Sequence, residues 1–392
     1  MKPNRHSVAF LWLLVALLLG LGMVMVYSVS LAHCRDSHGD PYYLLKRQLI
    51  WSAVGLLIFF LAYRLDYHWW RRRPLPLLGL GLISLMLVFI PGVGRSGGGA
   101  QRWLGLGNLA FQPSELAKYI LIIYLADLLS RRQERLDDFR EVFLPALAVI
   151  GVFSALVVAQ PDLGSAIGIV MVGLLMLFVA GARLGHLLVL GLAALPAVAG
   201  LILKVGYRRQ RILSFLDPWA DSKGAGFQII QSFIALGSGG WSGVGLGASR
   251  QKLFYLPAAN TDFIFSILGE ELGFLGTVSV LLIFLGVLVC GFVIARSASD
   301  LYGRLLALGI TFMLSLQAFV NMGVVCGLLP TKGLPLPFVS CGGSNLVVSL
   351  LAVGILSNIA SHRREECFYQ AKKASAAEFK RIEPILQPGR SK

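Results

Sequence analysis

Charged residues are scarce in this sequence. Asp, Glu, Lys and Arg make up 14% of the 392 residues, while hydrophobic residues make up 56%. Soluble domains contain about 25% charged and about 45 to 50% apolar residues. The shortage of charge therefore argues against a soluble globular protein. It predicts an all-α protein with several transmembrane helices.

The sequence also lacks the common signatures of metal, disulfide and nucleotide sites. Its five cysteines are widely separated, with no CxxC pair and no cluster of His and Cys at metal-ligand spacing. It contains no Walker A motif, and the glycine-rich runs GLGLGN and GGWSGVGLG neither follow a predicted strand nor open a βαβ unit. The sequence therefore indicates no dedicated cofactor or metal site and argues against an ATP-driven enzyme.

The apolar residues fall into ten runs that suggest membrane spans. The first run is too long for the core of a signal peptide and lacks a small-residue cleavage site, so we interpret it as a retained span. The eighth would be about 50 Å long as a helix and exceeds the ~30 Å hydrocarbon core, so it must tilt, protrude, or bend near Gly269 or Gly273. The runs are Val8–Leu31, Gln48–Ala62, Leu75–Ile90, Leu116–Leu129, Val142–Ala159, Leu163–Ala180, Leu184–Leu203, Phe263–Ala295, Leu301–Leu328 and Asn345–Ala360.

The distribution of Lys and Arg predicts the orientation of the spans. An even number of spans places both termini on the same side of the membrane. Among the short segments outside the spans, those on the side of the termini contain more Lys and Arg, so this side is predicted to be cytoplasmic. The net charge of +15 is explained by this topology and by anionic lipid head groups, not by a nucleic-acid partner. We expect a membrane domain over residues 1–362, a basic cytoplasmic tail over 363–392, and a large extracytoplasmic loop at about 204–260.

A carboxylate at the end of this loop is the candidate catalytic group. Asp262 lies where a basic, aromatic loop gives way to the long eighth span. Arg250 and Lys252, just upstream, could hold an anionic substrate, and basic residues outnumber acidic ones throughout the loop, Arg208 included. The alternative is structural, because Thr261 and Asp262 also suit the capping of a helix N-terminus.

Other outer segments contain polar residues that suit either substrate binding or structure. Arg102 could bind phosphate in bidentate fashion and Trp103 could stack on a sugar, or both could anchor the chain at the membrane interface. Glu115 and Lys118 open the fourth span and form either a local ion pair or a pair that faces a polar groove. Asp162 suits the first turn of the sixth span, and we favour a structural role for it.

The segment PTKGLPLPFVSCGGSN predicts irregular backbone at membrane depth, which is tolerated mainly where it is buried or lines a cavity. Its Lys332, Ser340 and Ser344 would then point donors into that cavity, beside Gly342 and Gly343. Four more polar residues, which we expect to connect helices or line a groove, lie inside the eighth and ninth spans. They are Glu270, Glu271, Gln317 and Asn321.

Six motifs in this order resemble the SEDS family (shape, elongation, division and sporulation) of FtsW, RodA and SpoVE proteins. They are GAQRWLGLG, FQPSELAK, QPDLGSA, FLDPWADSKGAGFQIIQS, YLPAANTDFIFSILGEELGFLG and LLPTKGLPLPFVSCGGSN, and the resemblance covers about Gly20 to Ser361. The TKG triplet and the FLDPW stretch look more like the division branch than the elongation branch. The family often has Glu and His where this chain has Ala258 and Asn260, and Tyr where it has Cys341.

The resemblance implies a function at the outer face of the bacterial cytoplasmic membrane. The family polymerises peptidoglycan from lipid II with release of undecaprenyl pyrophosphate, and it works beside a class B penicillin-binding transpeptidase and other divisome membrane proteins. Asp262 matches the family's essential aspartate and would be the general base, while Trp103 and Lys332 would lie near the substrate. No cofactor is implied, although a divalent cation could share the neutralisation of the pyrophosphate.

Two other classes of function stay open. A lipid-linked precursor transporter (flippase) would place functional residues near the membrane midplane and on both sides. A scaffold of the wall-synthesis complex would need no catalytic carboxylate. The crowding of motifs in the outer loops favours the glycosyltransferase.

Overall fold

The computed structural model describes residues 5–38, 40–97, 100–106, 109–135, 138–253 and 255–362, so the predicted tail 363–392 lies outside the described residues. Each of the ten predicted spans coincides with an α-helix, and three further α-helices lie between them among the described residues. The helices are α1 Arg5–His38, α2 Tyr43–Arg64, α3 His68–Arg71, α4 Pro74–Leu87, α5 Pro113–Arg131, α6 Leu144–Ala159, α7 Leu163–Ala180, α8 Leu184–Leu203, α9 Gly206–Leu216, α10 Phe227–Gly239, α11 Ile264–Ser297, α12 Leu301–Val325 and α13 Gly343–His362.

Seven segments among the described residues are helical, long and apolar enough to cross a membrane, and the chain is a multi-pass membrane protein. These seven contain α1, α2, α6, α7, α11, α12 and α13. Of the others, α4 has only 14 residues, and α5 includes four charged residues. The helical character of the ten runs is confirmed, whereas the count of ten spans stays a prediction.

The expectation of an all-α fold is wrong for the segment before α5. Its three strands are β1 Gly94–Gly97, β2 Ala100–Leu106 and β3 Leu109–Phe111, which form an antiparallel sheet in the order β1-β2-β3. The sheet covers the glycine-rich stretch between the third and fourth predicted spans. Short hairpins of this kind satisfy backbone donors and acceptors that would otherwise be unpaired near the membrane.

Helices α12 and α13 form the centre of the molecule. Within their most apolar windows, 78% and 83% of the residues are buried, against 39% or less in each of the other five possible spans. Helix α12 packs against α5, α7 and α11. Asp300 caps its N-terminus by accepting a hydrogen bond from the amide of Gly303 at 3.1 Å. A helix buried on all sides must be apolar all round, so the few polar residues of α12 need partners inside the protein.

Helix α11 bends at Gly273, one of the two positions that its excess length suggested. Gly273 has φ 68° and ψ −163°, a conformation that only glycine adopts readily. The bend lets the turn after α10 approach the helix, where the amides of Val244 and Gly245 donate to the carbonyls of Glu270 and Glu271. A Cβ atom at Gly273 would collide with the amide nitrogen of Gly243, because the two backbone segments are in contact here.

We predict that Gly273→Ala lowers the free energy of unfolding by about 1 to 3 kcal/mol, because alanine is strained at this φ and ψ. Thermal unfolding of the purified protein in detergent, followed by tryptophan fluorescence, measures the change. Gly237→Ala is the matched control, since Gly237 lies on an exposed face of α10 and a Cβ there meets nothing within 4 Å. Equal melting temperatures for the two variants would contradict the account of the bend.

Candidate functional site

Asp262 lies just before α11, and hydrogen bonds to the main chain fix its position. Its carbonyl oxygen accepts a hydrogen bond from Nδ2 of Asn321 at 2.8 Å, and the same nitrogen donates to the carbonyl of Leu334 at 2.7 Å. One amide of α12 therefore joins two loop segments that lie 72 residues apart in the sequence. This bridge sets Asp262 beside the segment that contains Lys332.

The two carbonyls before Asp262 are held in the same way. The amide of Cys341 donates to the carbonyl of Asn260 at 2.9 Å, and Oγ of Ser340 donates to the carbonyl of Thr261 at 2.6 Å. Three consecutive carbonyls are thus satisfied by one neighbouring loop and one helix. The backbone of this stretch is fixed although it is neither helix nor strand.

The carboxylate of Asp262 does not cap α11. The N-cap residue is Phe263, which makes no side-chain capping bond, and no described residue donates a hydrogen bond to the Asp262 carboxylate. It lies against Gly333 instead, where a Cβ atom would be only 2.9 Å from Oδ2. The capping alternative is therefore wrong, and the carboxylate is free for chemistry.

A cavity of about 190 Å³ adjoins Gly333, and most of its polar lining is basic. Elements distant in sequence meet here: strand β2, the start of α7, helix α9 and the segment before Gly333. The charged side chains that line it are Arg102, Asp162, Arg208, Arg211 and Lys332. Four basic side chains and one carboxylate, that of Asp162, line the cavity. This excess of positive charge suits a multiply charged anion.

The surroundings of Asp262 shift its proton affinity upward. Burial raises the pKa of Asp262 to about 6, against the pull of Arg211, while the negative charge of Asp162 raises it further and Arg102 lowers it. Burial also lowers the pKa of Lys332, although Asp162 opposes that change. A carboxyl with a pKa near 6 can accept a proton at neutral pH and is a better base than an ordinary aspartate.

Arg102 and Trp103 are separated by the strand geometry of β2. Successive side chains of a strand point to opposite faces. Arg102 turns toward the cavity, where Nε donates to the carbonyl of Gln160 at 3.2 Å and a terminal nitrogen donates to that of Pro161. Trp103 lies beside Gly97 of β1 and is absent from the cavity lining. Only the arginine of this predicted pair reaches the site.

Asp162 has the structural role that we favoured, and its charge also reaches the cavity. It caps α7 by accepting from the amide of Ser165 at 3.0 Å and from its Oγ at 2.8 Å. Nε2 of Gln112 donates at 3.4 Å to Oδ2, the carboxylate oxygen that also accepts from Oγ of Ser165. The cap fixes a negative charge close to Lys332, where it moderates the basic character of the lining.

Glu115 and Lys118 form a buried ion pair at 2.8 Å, with side chains only 2% and 1% exposed. Nζ of Lys118 also donates to Oε1 of Gln317 at 3.2 Å, and Asn345 donates to the second carboxylate oxygen at 2.7 Å. A cavity of about 200 Å³ reaches from Lys118 to Lys332. The local i, i+3 ion pair is thus confirmed, whereas only its lysine reaches this mainly apolar cavity.

The four residues predicted around the CGGSN turn lie outside that cavity lining. Ser340 binds Thr261, and Oγ of Ser344 accepts from the amide of Gln112 at 2.9 Å; both serines are buried. The prediction that they point donors into the cavity is therefore wrong. Neither glycine of the turn, Gly342 or Gly343, lines the cavity, and a Cβ at Gly343 would collide with the ring of Trp51.

Glu270 is used to hold the loop before Asp262. Its carboxylate accepts from Oγ of Ser249, from the amide of Arg250 at 2.9 Å and from the amide of Gln251 at 3.3 Å. Arg250 therefore contributes its main chain here, and its exposed side chain does not line the Asp262 cavity.

Lys252 belongs to a second buried cluster. Its Nζ lies 2.8 Å from Oε1 of Glu271 and 2.7 Å from Oγ of Ser28. Ser28 also donates to Glu271 at 2.6 Å, which ties α1 to α11. The lysine is neutralised within the bundle, so the structure does not bring Lys252 to the Asp262 site.

Sequence reasoning included Arg211 only among the basic residues of the large loop and did not consider Tyr207, although both line the cavity. Arg211 donates to the carbonyl of Thr331 at 3.4 Å, and the guanidinium groups of Arg208 and Arg211 lie 5.6 and 5.9 Å from the centre of the Tyr207 ring. Residues three and four apart share one face of a helix. That spacing in GYRRQRILSFL could have shown which arginines of α9 act together.

The chain is similar to a known protein family and to several named proteins. A family model described as "Cell cycle protein", which covers FtsW, RodA and SpoVE, matches residues 8–365. A protein of Geobacter sp. (strain M18) named "Probable peptidoglycan glycosyltransferase FtsW" is 47% identical over 90% of this chain and 96% of its own length. The "Stage V sporulation protein E" of Bacillus subtilis (strain 168) is 46% identical over 90% of this chain and 96% of its own.

Two solved structures share the fold. A chain from the work "Structural coordination of polymerization and crosslinking by a peptidoglycan synthase complex" superposes with a TM-score of 0.74 at 35% identity, over 90% of this chain and 97% of that chain. The rod shape determining protein RodA of Thermus thermophilus superposes with a TM-score of 0.66 at 30% identity, over 90% of this chain and 96% of that chain.

We predict that Asp262→Asn makes the protein more stable at neutral pH. The folded-state pKa of about 6 exceeds the ordinary 3.8, so stability that the wild type has below pH 4 is lost as pH rises through 6. Asparagine does not titrate at this position. The free energy of unfolding of the variant, relative to that of the wild type, should therefore increase by about 1 to 2 kcal/mol as the pH is raised from 4.5 to 7.5.

Denaturant unfolding in detergent at the two pH values measures this gain. Asp40→Asn is the control, because Asp40 is exposed in the α1–α2 turn, pairs with Lys46 and has a lowered pKa. Its stability difference from the wild type should change little over the same range. An Asp262→Asn difference that is independent of pH would contradict the raised pKa.

Proposed function

This chain belongs to the FtsW, RodA and SpoVE family of cell cycle proteins, and from this membership we propose that it is a peptidoglycan glycosyltransferase. In this proposal it polymerises lipid II at the outer face of the bacterial cytoplasmic membrane and releases undecaprenyl pyrophosphate. The observation that carries the proposal is the Asp262 carboxylate, which has no hydrogen-bond partner among the described residues and adjoins a cavity with four basic side chains.

The reaction needs a base, and Asp262 is placed to be one. The ionised carboxylate takes the proton of the acceptor sugar hydroxyl as its oxygen attacks the anomeric carbon of the donor. The bond from that carbon to the pyrophosphate oxygen breaks, and both of its electrons leave with the pyrophosphate. General base catalysis of this type contributes about 10² to 10⁴ in rate.

The leaving pyrophosphate needs positive charge, and the cavity lining supplies it. Arg102 of β2, Arg208 and Arg211 of α9, and Lys332 of the segment before Gly333 come from three different parts of the chain and line one small volume. Guanidinium groups bind phosphate oxygens in pairs, which fixes geometry as well as charge. A divalent cation could share this task.

The polyprenyl chain of the substrate needs an apolar path beside the reacting sugars. A cavity of about 490 Å³ with a mainly apolar lining lies between α10, α11 and α12. It includes Phe265 of the first turn of α11, three residues after Asp262, and Met322, which follows Asn321 on α12. We propose that lipid chains enter the site along this side.

The proposal also includes the side of the membrane on which the site lies, a protein partner and a role in the cell. The extracytoplasmic placement of Asp262 is supported by the Lys and Arg distribution, and a role in septal wall synthesis by the names of the FtsW relatives. The solved synthase complex, which coordinates polymerization and crosslinking, supports a crosslinking partner, for which we propose a class B penicillin-binding transpeptidase and other divisome proteins. The crowding of the polar residues at one face argues against a flippase with alternating access.

We predict that Asp262→Ala lowers the rate of glycan formation at least about 100-fold, because the base is lost. The measurement uses purified protein with its transpeptidase partner and labelled lipid II, and the polymer is resolved by gel electrophoresis. Asp40→Asn removes an exposed outer carboxylate and should keep the wild-type rate. Normal polymerisation by Asp262→Ala, with partner binding intact, would refute the catalytic role; polymerisation by neither the variant nor the wild type would refute the proposed activity.

The pH dependence of the reaction gives a second prediction. The rate should fall about tenfold per pH unit below pH 6, where Asp262 becomes protonated. Arg211 lowers the pKa of Asp262, so Arg211→Gln should move this acidic limb to higher pH as well as slow the reaction.

Arg209→Gln is the matched control for that variant, since Arg209 is an exposed arginine of the same helix that does not line the cavity. Its pH profile should superpose on that of the wild type. Identical profiles for Arg211→Gln and Arg209→Gln would show that Arg211 does not act on the base.

A further inference from the structure

Three potential metal ligands meet at the end of α13 that is remote from Asp262. Asp66 lies in the turn between α2 and α3, His68 is the first residue of α3, and His362 is the last residue of α13. Helix α13 places this cluster about 30 Å from the CGGSN turn. His362 lies 294 positions after His68 in the sequence, so no ligand spacing marks the three residues as a group.

The distances within the cluster are close to those of a metal site. Oδ1 of Asp66 lies 2.8 Å from Nδ1 of His68 and 3.4 Å from Nε2 of His362, and one ligand atom of each residue lies within 4.8 Å of the others. Ligand atoms around tetrahedral zinc are separated by about 3.3 Å, given metal–ligand bonds of about 2.0 Å. A small adjustment of side-chain rotamers would thus place three ligands around one ion.

The cluster is accessible from solvent. The side chains of Asp66, His68 and His362 are 45%, 29% and 27% exposed, so an ion can enter and a water molecule can occupy a fourth position. Two imidazoles and one carboxylate favour borderline transition metals over Mg²⁺ and Ca²⁺, which prefer sites made of oxygen atoms.

A second carboxylate supports the orientation of His68. Nε2 of His68 lies 3.8 Å from Oδ2 of Asp300, on the side of the ring away from Asp66. Asp300 is itself fixed, because it accepts from the hydroxyl of Tyr67 at 2.8 Å and caps α12. Metal-bound histidines typically donate their other ring nitrogen to such a carboxylate.

We propose that Asp66, His68 and His362 bind a divalent transition metal ion of the zinc class. The ion would join the α2–α3 turn to the end of α13, where the chain continues into residue 363. The site is independent of the proposed glycosyltransferase activity and lies at the other end of the bundle.

Metal titration of the wild-type protein tests the proposal directly. Tag-free full-length protein in detergent is treated with a chelator, dialysed, and titrated with Zn²⁺ by calorimetry and with Co²⁺ by visible absorption. We expect one ion per chain and the intense d–d bands of tetrahedral Co²⁺ bound by nitrogen and oxygen ligands. Absence of saturable binding, or an octahedral Co²⁺ spectrum, would overturn the site.

Variants assign the ligands. His68→Gln and His362→Gln should each weaken Zn²⁺ binding at least about tenfold, since even replacement of supporting groups has effects of that order. His186→Gln is the matched control, because His186 lies in α8 and contacts Phe139 and Phe143. Equal affinity in all three variants would mean that the cluster is only a set of hydrogen bonds between aspartate and histidines.

Melting temperatures with and without Zn²⁺ test the site even if a variant is less stable than the wild type. Zn²⁺ should raise the melting temperature of the wild type and of His186→Gln, because a ligand that binds only the folded state stabilises it. It should leave that of His362→Gln unchanged. A similar rise in all of them would place the ion elsewhere and overturn the proposal.

Discussion

The attachment of three consecutive carbonyls, those of residues 260–262, is the constraint on which the candidate site depends. This stretch lies at the rim of an apolar bundle, where an unpaired carbonyl costs about 1 to 3 kcal/mol. Its partners come from Asn321 of α12 and from the segment 334–341. Although Asp262 immediately precedes the N-cap residue of α11, its side chain does not cap the helix. It is held against Gly333, where burial raises its pKa.

The buried ion pair of α5 also helps to position the segment 334–341, through Gln317 of α12. Lys118 holds Oε1 of Gln317, and the amide nitrogen of Gln317 donates to the carbonyl of Pro335 at 3.1 Å. A buried pair of opposite charges often adds little net stability, because desolvation offsets the attraction. Its effect here is positional: Glu115 and Lys118 orient an amide whose geometry decides where the segment 334–341 runs. The polar interior and the cavity are thus parts of one hydrogen-bonded system.

The features that the sequence predicted correctly are those decided by neighbouring residues. Apolar runs predicted the helices, and the i, i+3 spacing of Glu115 and Lys118 predicted their ion pair. Excess length gave a bend near Gly269 or Gly273 as one of three possible outcomes for α11, and the bend is at Gly273. The errors concern contacts between distant segments. Nothing near Lys252 in the sequence shows that Glu271 neutralises it and that Ser28 accepts its hydrogen bond, and nothing in the CGGSN turn shows that Ser340, just before it, is bound to Thr261. The sheet was missed because a run rich in glycine has no alternation of side chains.

Helix α12 nevertheless contains a signal that connects sequence to site. It is buried nearly all round, so a polar residue in it is costly unless a partner is near. Thr311 bonds back to the carbonyl of Ala307 within the helix. Gln317 and Asn321, four residues apart and therefore on one face, instead donate to loop carbonyls. Polar amides on one face of an otherwise apolar central helix thus mark where irregular backbone enters the bundle, and in this protein that backbone carries Asp262.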